Sequence, residues 1–238
     1  MELLLGTAYF PPVEYFAAAA YGMTLSRDKV IPSVIYIESS ENYQKQSYRN
    51  RCSFYAENGV QNLNFPIVHK GGGAKIPIRE VEVDWSKDWL LQQKRAIISA
   101  YKTSAFFDYY QDELFAVLDS RPKTLFDLNL AIFKFFAEKI GLQLEIRFTD
   151  DYHLPVGEVS EGVWKGIPKC EIDGNEVVDL REIIHPKRDN DILERLGLKG
   201  EYFQVFGMRY GFKPHLSVMD LLFNMGPEAI IYLKTLNG

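Results

Sequence analysis

Apolar residues dominate the first positions of the chain. Glu2 to Ala8 predicts a buried strand. Pro11 and Pro12 close a turn and open a helix, because proline suits the first helical turn. Val13, Phe16, Ala17, Ala20 and Tyr21 supply its apolar face and Gly22 stops it. Beyond Pro32, Ser33 to Glu38 reads as a second apolar strand, so the opening predicts a βαβ unit with a right-handed crossover. Asn58-Gly59, a pair that accepts positive φ, predicts a hairpin between Cys52–Ala56 and Gln61–Val68. Ile76 to Val83 alternates and predicts another strand.

Helical periodicity then spans Asp88 to Tyr101, Ala105 to Leu118, and Leu125 to Ile140, the last stopped by Gly141. Gln143 to Phe148 returns to alternation. Residues 150–187 are richer in glycine, proline and acid, with strand-like pieces at Lys169–Ile172 and Glu176–Leu180 around an Asp173-Gly174 turn. Asp191–Leu196 predicts a short helix and Tyr202–Phe206 a late strand. Ser217 to Asn224 predicts a helix in which Ser217 and Asp220 match a capping box, and Gly226-Pro227 separates it from a last helix over Pro227–Leu236. Together these predict an α/β fold: a mixed sheet with flanking helices, a βαβ opening, a hairpin insertion and a helical C-terminus. One domain over residues 1–238 is expected, with 150–187 as an insertion or flap.

Composition narrows the function classes. The net charge of -5 argues against a nucleic-acid partner, which needs a basic surface. Two cysteines, Cys52 and Cys170, form no CxxC pair and are expected as reduced, buried thiols. No apolar run reaches the roughly 18 residues of a membrane span, and Met1–Leu5 is too short for a secretory signal, so a cytoplasmic location is expected. The four histidines, His69, His153, His185 and His215, show no metal-ligand spacing, so no metal is expected. His185 and His215 are each a candidate acid or base, against a structural or solvated role. GxGxxG, Walker A, GxSxG and paired-histidine nucleotidylyltransferase motifs are all missing, so no cofactor is expected.

The richest polar segment is Tyr43-Gln44-Lys45-Gln46-Ser47-Tyr48-Arg49-Asn50-Arg51, placed after an apolar strand. Ligands of open α/β sheets bind beyond the carboxyl ends of strands. Lys45, Arg49 and Arg51 suit phosphate or carboxylate oxygens, and Tyr43 and Tyr48 suit stacking on a sugar or base. The alternative is a loop whose cations pair with Glu38, Glu41 or Glu57. His69-Lys70-Gly71-Gly72-Gly73-Ala74-Lys75 reads either as a plain flexible connection or as an anion-binding lid. Asp220 and Asn224, four apart, share one helix face and either stay within the chain or line a cleft.

Tyr9-Phe10-Pro11-Pro12 with Glu14-Tyr15-Phe16, then Tyr43, Lys45 and Tyr48-Arg49-Asn50-Arg51, resemble segments of the WbqC-like family. Similar likenesses follow in order at Leu63–Val68, Ala100-Tyr101 with Phe106-Phe107, Leu125–Asn129 and Leu216–Gly226. Thr7-Ala8 stands where many members carry Gln-Pro, and their Asn- and Gly-rich stretch before the last segment is missing here. The resemblance implies a place in bacterial O-antigen or other surface-polysaccharide biosynthesis. The expectation is an enzyme that transfers an acyl or aminoacyl group to an activated amino sugar, with a nucleotide-sugar or acyl donor as its small-molecule partner. The ligand set expected is Tyr43, Lys45, Arg49, Asn50, Arg51, Asp220 and Asn224, with the catalytic residues unassigned and an oligomer left open. A non-catalytic binding or scaffold protein of a glycan assembly pathway is the alternative.

Overall fold

The computed structural model describes residues 2–26, 29–68, 75–198 and 200–234. The ten strands described are β1 (Glu2–Gly6), β2 (Thr24–Ser26), β3 (Lys29–Ile31), β4 (Ser33–Glu38), β5 (Arg51–Ala56), β6 (Gly59–Asn64), β7 (Leu144–Phe148), β8 (Gly157–Glu158), β9 (Pro168–Ile172) and β10 (Asn175–Asp179). The helices are α1 (Val13–Gly22), α2 (Trp89–Tyr101), α3 (Phe107–Asp119), α4 (Leu125–Ile140), α5 (Ile192–Arg195), α6 (Gly207–Tyr210), α7 (Val218–Met225) and α8 (Ala229–Leu233).

Six strands form a mixed sheet in the order β7-β4-β1-β10-β9-β8. β7, β4, β1 and β10 are parallel, and β9 and β8 add antiparallel strands at one edge. The α/β reading of the sequence is therefore correct. Alternation sends Leu3, Leu5, Ile35, Ile37 and Val178 into the main core, while Leu4, Tyr36 and Val177 join Cys170 and Ile172 in a smaller cluster. α1 is buried almost all round, and Ala17 to Ala20 let its backbone lie close to neighbouring elements. α4 is capped by Thr124, whose hydroxyl accepts from Asp127 N at 3.1 Å, and is ended by Gly141 at φ +84°. Its Phe133 and Phe136 meet Phe16, and Phe136 also meets Phe223 of α7.

Residues 150–187, expected as an insertion or flap, supply β8, β9 and β10, and β10 hydrogen-bonds directly beside β1. β5 and β6 form a separate hairpin around Asn58-Gly59. Two expected strands do not form. Ile76–Val83 holds a 3-10 turn at Ile78–Glu80 and isolated bridges, Asn42 with Pro77 and Ile67 with Val83. Pro77 lacks the N–H a ladder needs. Tyr202–Phe206 finds no strand partner among the described residues, where Gln204 turns inward to bond Lys213 and Asp220. Ser217 does cap α7, accepting from Met219 N, but Asp220 does not complete a capping box, since its carboxylate bonds to Tyr202 and Gln204. The short β2–β3 hairpin was not predicted. The glycine run 69–74 lies outside the described residues.

The parallel strands place one edge of interest. β4 and β10 flank β1 on opposite sides, so the chain leaves the carboxyl ends of these strands in two directions. A crevice at such a switch point is where an open α/β sheet holds ligands.

Candidate functional site at the carboxyl edge of the sheet

Two buried arginines organise this edge. Arg181 follows β10 and is 3% exposed. It binds Asp179 through Nε (2.9 Å) and Nη2 (2.7 Å), Glu38 through Nη1, and the His153 carbonyl through Nη2 at 2.6 Å. Glu38 ends β4, and its other oxygen accepts from Ser40 N at 2.8 Å and Thr149 Oγ1 at 2.7 Å. The chain thus ends three strands on one polar knot: β4 at Glu38, β10 at Asp179, and β7 just before Thr149. The Tyr152 ring covers the Arg181 guanidinium at 4.5 Å.

Arg49 is the second arginine. Its Nε and Nη2 make a two-pronged pair with Glu41 at 2.9 and 2.7 Å. The backbone of Arg49 is held by Asn129 of α4, whose Nδ2 donates to its carbonyl at 2.8 Å. Gly6 ends β1 against this side chain, and a Cβ there would lie 2.9 Å from Arg49 Nη2. A side chain at this position would force the guanidinium to shift.

Glu41 of the Arg49–Glu41 pair lines a cleft of about 430 Å³. Ser40, Glu41 and Asn42 form one side, with Tyr43, Gln44, Lys75 and Tyr152 completing it. Two backbone bonds fix the loop that carries them, Tyr43 N to Ile76 O (2.8 Å) and Ile78 N to Glu41 O (2.9 Å). Burial pushes the Glu41 carboxyl above its usual value against the pull of Arg49. Burial likewise raises Tyr43, which therefore stays a neutral phenol. Arg49 and Arg181 face three buried acids, Glu38, Glu41 and Asp179, so the buried layer is one negative charge in excess. Such a floor, with hydroxyl, amide and aromatic walls, suits a polar ligand that brings a positive charge or several hydroxyls.

The structure brings only part of the expected ligand set together. Tyr43 lines the cleft, whereas Arg49 is not part of its wall and is held by Glu41, which is, as the structural alternative anticipated. Lys45 is exposed on the same loop but is not part of the cleft wall. Asn50 ties the hairpin, donating to the Phe65 carbonyl at 2.9 Å. Arg51 begins β5, half-buried, and forms no ion pair among the described residues. Asp220 and Asn224 sit outside the cleft wall, in a buried network of their own. Tyr202 Oη and Gln204 Nε2 each donate to Asp220 at 2.8 Å, and Asn224 Nδ2 donates to the Asp220 carbonyl at 2.7 Å. Glu38 and Glu41 were named from the sequence only as acids that could pair with the loop's cations, and Tyr152, Asp179 and Arg181 were not singled out. Their one linear signal is an acid closing an apolar strand, as at Glu38 and Asp179.

Neither cysteine is poised for chemistry. Burial and the Asp179 carboxylate push Cys170 up to about 12, and burial raises Cys52 as well. Burial lowers His185 below its usual value. Among the described residues no group of three His, Cys, Asp or Glu side chains could hold a metal ion. No described helix is long and apolar enough to cross a membrane.

Asp220 gives a pH signature. Burial raises its carboxyl to about 6, against the bonds from Tyr202, Gln204 and Tyr101. An acid with a raised folded value binds its proton more tightly folded than unfolded, so stability falls as pH rises between roughly 4 and 6 and then levels. The expected loss is about 3 kcal/mol. Urea denaturation at pH 4 and pH 7 should show this decline in the wild type and a flatter profile in Asp220→Asn.

The sequence model described as the WbqC-like protein family matches residues 7–232 of the chain. Uncharacterized protein Rv1507c of Mycobacterium tuberculosis is 26% identical over 199 residues, which cover 81% of this chain and 84% of that protein. No solved structure matches the chain.

Proposed function

Because the chain belongs to the WbqC-like protein family, we propose that it is an enzyme of bacterial surface-polysaccharide biosynthesis that transfers an acyl or aminoacyl group to an activated amino sugar. The observation that carries this reading is the Glu41 carboxyl, raised by burial and pinned by Arg49 in the wall of a polar cleft. Such a carboxylate is suited to take a proton from a sugar amine. The nitrogen then attacks the acyl carbonyl, a C–N bond forms, and the bond to the donor's leaving group breaks. The leaving group departs with the electron pair. Tyr43 and Tyr152 offer ring faces to the sugar, Ser40, Asn42 and Gln44 offer hydroxyl and amide partners, and Lys75 offers a cation to the anionic part of the donor or nucleotide. Positioning supplies most of the rate in this scheme, since the cleft shows no nucleophile–base pair among the described residues.

Calorimetric titration with nucleotide-linked amino sugars tests the site. The wild type is expected to bind at least one of them, Tyr43→Ala and Tyr152→Ala each about tenfold more weakly or worse. Glu41→Gln should keep binding and lose transfer. A wild type that binds none, or a Tyr43→Ala variant that binds equally well, overturns the reading.

One observation favours a second reading, a non-catalytic binding or scaffold protein of glycan assembly. Leu154 and Val156 stand exposed just before the edge strand β8, where a partner could extend the sheet. Loss of copurification with a glycosyltransferase in Leu154→Ser/Val156→Ser, with sugar binding absent, would support it.

A further inference from the structure

A second cavity of about 340 Å³ lies between α5, the Phe212–Pro214 segment and α8, and shares no lining residue with the cleft. Leu193, Leu198, Phe212 and Tyr232 give it an apolar body, while Asp191 and Glu194 bring carboxylates and His215 an imidazole. Behind His215 stands Glu14, on the first turn of α1 and wholly buried. One Glu14 oxygen is bonded to His215 Nδ1, with Asn190 Nδ2 at 3.5 Å from the same atom. The other oxygen is buried and finds no hydrogen-bond partner among the described residues. Burying a carboxylate is costly unless something compensates it, and His215, about half exposed, connects this one to the cavity.

The contact is built rather than incidental. His215 adopts φ +61°, a left-handed conformation that side-chain-bearing residues avoid. Its neighbours are tied to the start of α1: Val13 N donates to Leu216 O at 3.0 Å, Val218 N donates to Pro11 O at 2.9 Å, and Pro12 bridges Ser217. These bonds fix the imidazole over Glu14. A carboxylate oxygen only accepts, so Nδ1 carries the proton and Nε2 is left for a ligand.

We propose that this cavity is a second ligand site, in which His215 and Glu14 form a proton-accepting dyad for a primary-ammonium ligand with an apolar body. The ammonium N–H donates to His215 Nε2. When the proton moves from that nitrogen to Nε2, Glu14 stabilises the imidazolium and the ligand becomes a neutral amine. The charges facing His215 favour this. Asp189 and Glu14 are acidic, Asp191 is held by Arg195 at 2.7 Å, and Lys213 is the cation nearest in sequence. The bond to Glu14 raises the imidazole above its usual value although burial opposes it, so the neutral ring with a free Nε2 is present on the alkaline side of that value, where a primary ammonium is still charged.

Phenethylamine and 3-phenylpropionate share a ring body and carry opposite charges, which makes them suitable probes. In the ¹⁵N-histidine-labelled full chain, phenethylamine is expected to shift the His215 Nε2 resonance at concentrations where 3-phenylpropionate does not. His215 should titrate above an ordinary imidazole in the wild type and near it in Glu14→Gln. Phenethylamine affinity should fall at least tenfold in Glu14→Gln and in His215→Asn, the latter chosen because asparagine tolerates the left-handed backbone. Should Glu14→Gln fail to fold, His215→Asn decides alone. Equal response to the two probes, or unchanged amine affinity in His215→Asn, overturns the proposal. Neither outcome bears on sugar binding in the Glu41 cleft, which the calorimetric titration reads separately.

Discussion

Arg181→Met is expected to cost about 3–5 kcal/mol of folding stability, because it strands two buried acids that share one cation. Glu38 is 0% exposed and Asp179 5%, and Arg181 is the ion-pair partner of both. Methionine roughly keeps the volume of the arginine stem, so packing changes little and the loss reports the uncompensated charge. The His153 carbonyl and the ring of Tyr152 lose their guanidinium as well, which should loosen one wall of the cleft. Urea unfolding gives the number. As a reference, Arg188→Gln breaks an exposed pair with Glu182 and should cost less than about 1 kcal/mol. An Arg181→Met loss no larger than that of the reference would mean the knot is not what joins β4, β7 and β10.

Arg49→Met is expected to cost a similar 3–5 kcal/mol, for the same reason at Glu41. The pair is 2% and 3% exposed, so neither partner has water to fall back on. A double variant, Arg49→Met with Glu41→Met, removes both charges and should recover 1–3 kcal/mol of the summed single losses, roughly the coupling energy of contacting residues. The single variant should also become pH-sensitive. Burial already raises Glu41 and Arg49 opposes it. Without the arginine the folded value rises further, so the protonated acid is favoured in the fold. Stability of Arg49→Met is then retained at low pH and lost as pH climbs through that raised value. A pH-independent loss, or no recovery in the double variant, would show that Arg49 acts by packing rather than by charge.

Sugar binding responds differently to these two arginines under the proposed function. Arg49 fixes the Glu41 carboxylate, so its loss should weaken transfer even where some fold survives. Arg181 works at one remove, through Tyr152.

Local pattern carried most of the elements. The apolar runs at Glu2–Ala8 and Ser33–Glu38, the Asn58-Gly59 turn, and the period of α2, α3 and α4 are all short-range properties, and each formed where the sequence pointed. The strands expected at Ile76–Val83 and Tyr202–Phe206 failed for tertiary reasons: the first holds Pro77 and only isolated bridges, and the second spends Gln204 on Asp220. Tyr43 and Arg49 were legible because a cationic, aromatic loop after an apolar strand is a linear signal. Glu41 was one of three acids the sequence offered Arg49, but Tyr152 was not legible, since it lies more than a hundred residues away and reaches the cleft because β7 pairs beside β4.

By itself the sequence determined the fold class, the family and the loop that carries Tyr43 and Arg49, because these follow from neighbours a few residues apart and from motif order. Only the tertiary structure decided that Arg49 belongs to Glu41, that Asp220 and Asn224 serve a buried network outside the cleft wall, and that Glu14 meets His215. The physical reason is that a buried charge is settled by whichever opposite charge the folded chain delivers to it, and sheet order, which no local pattern encodes, makes that delivery.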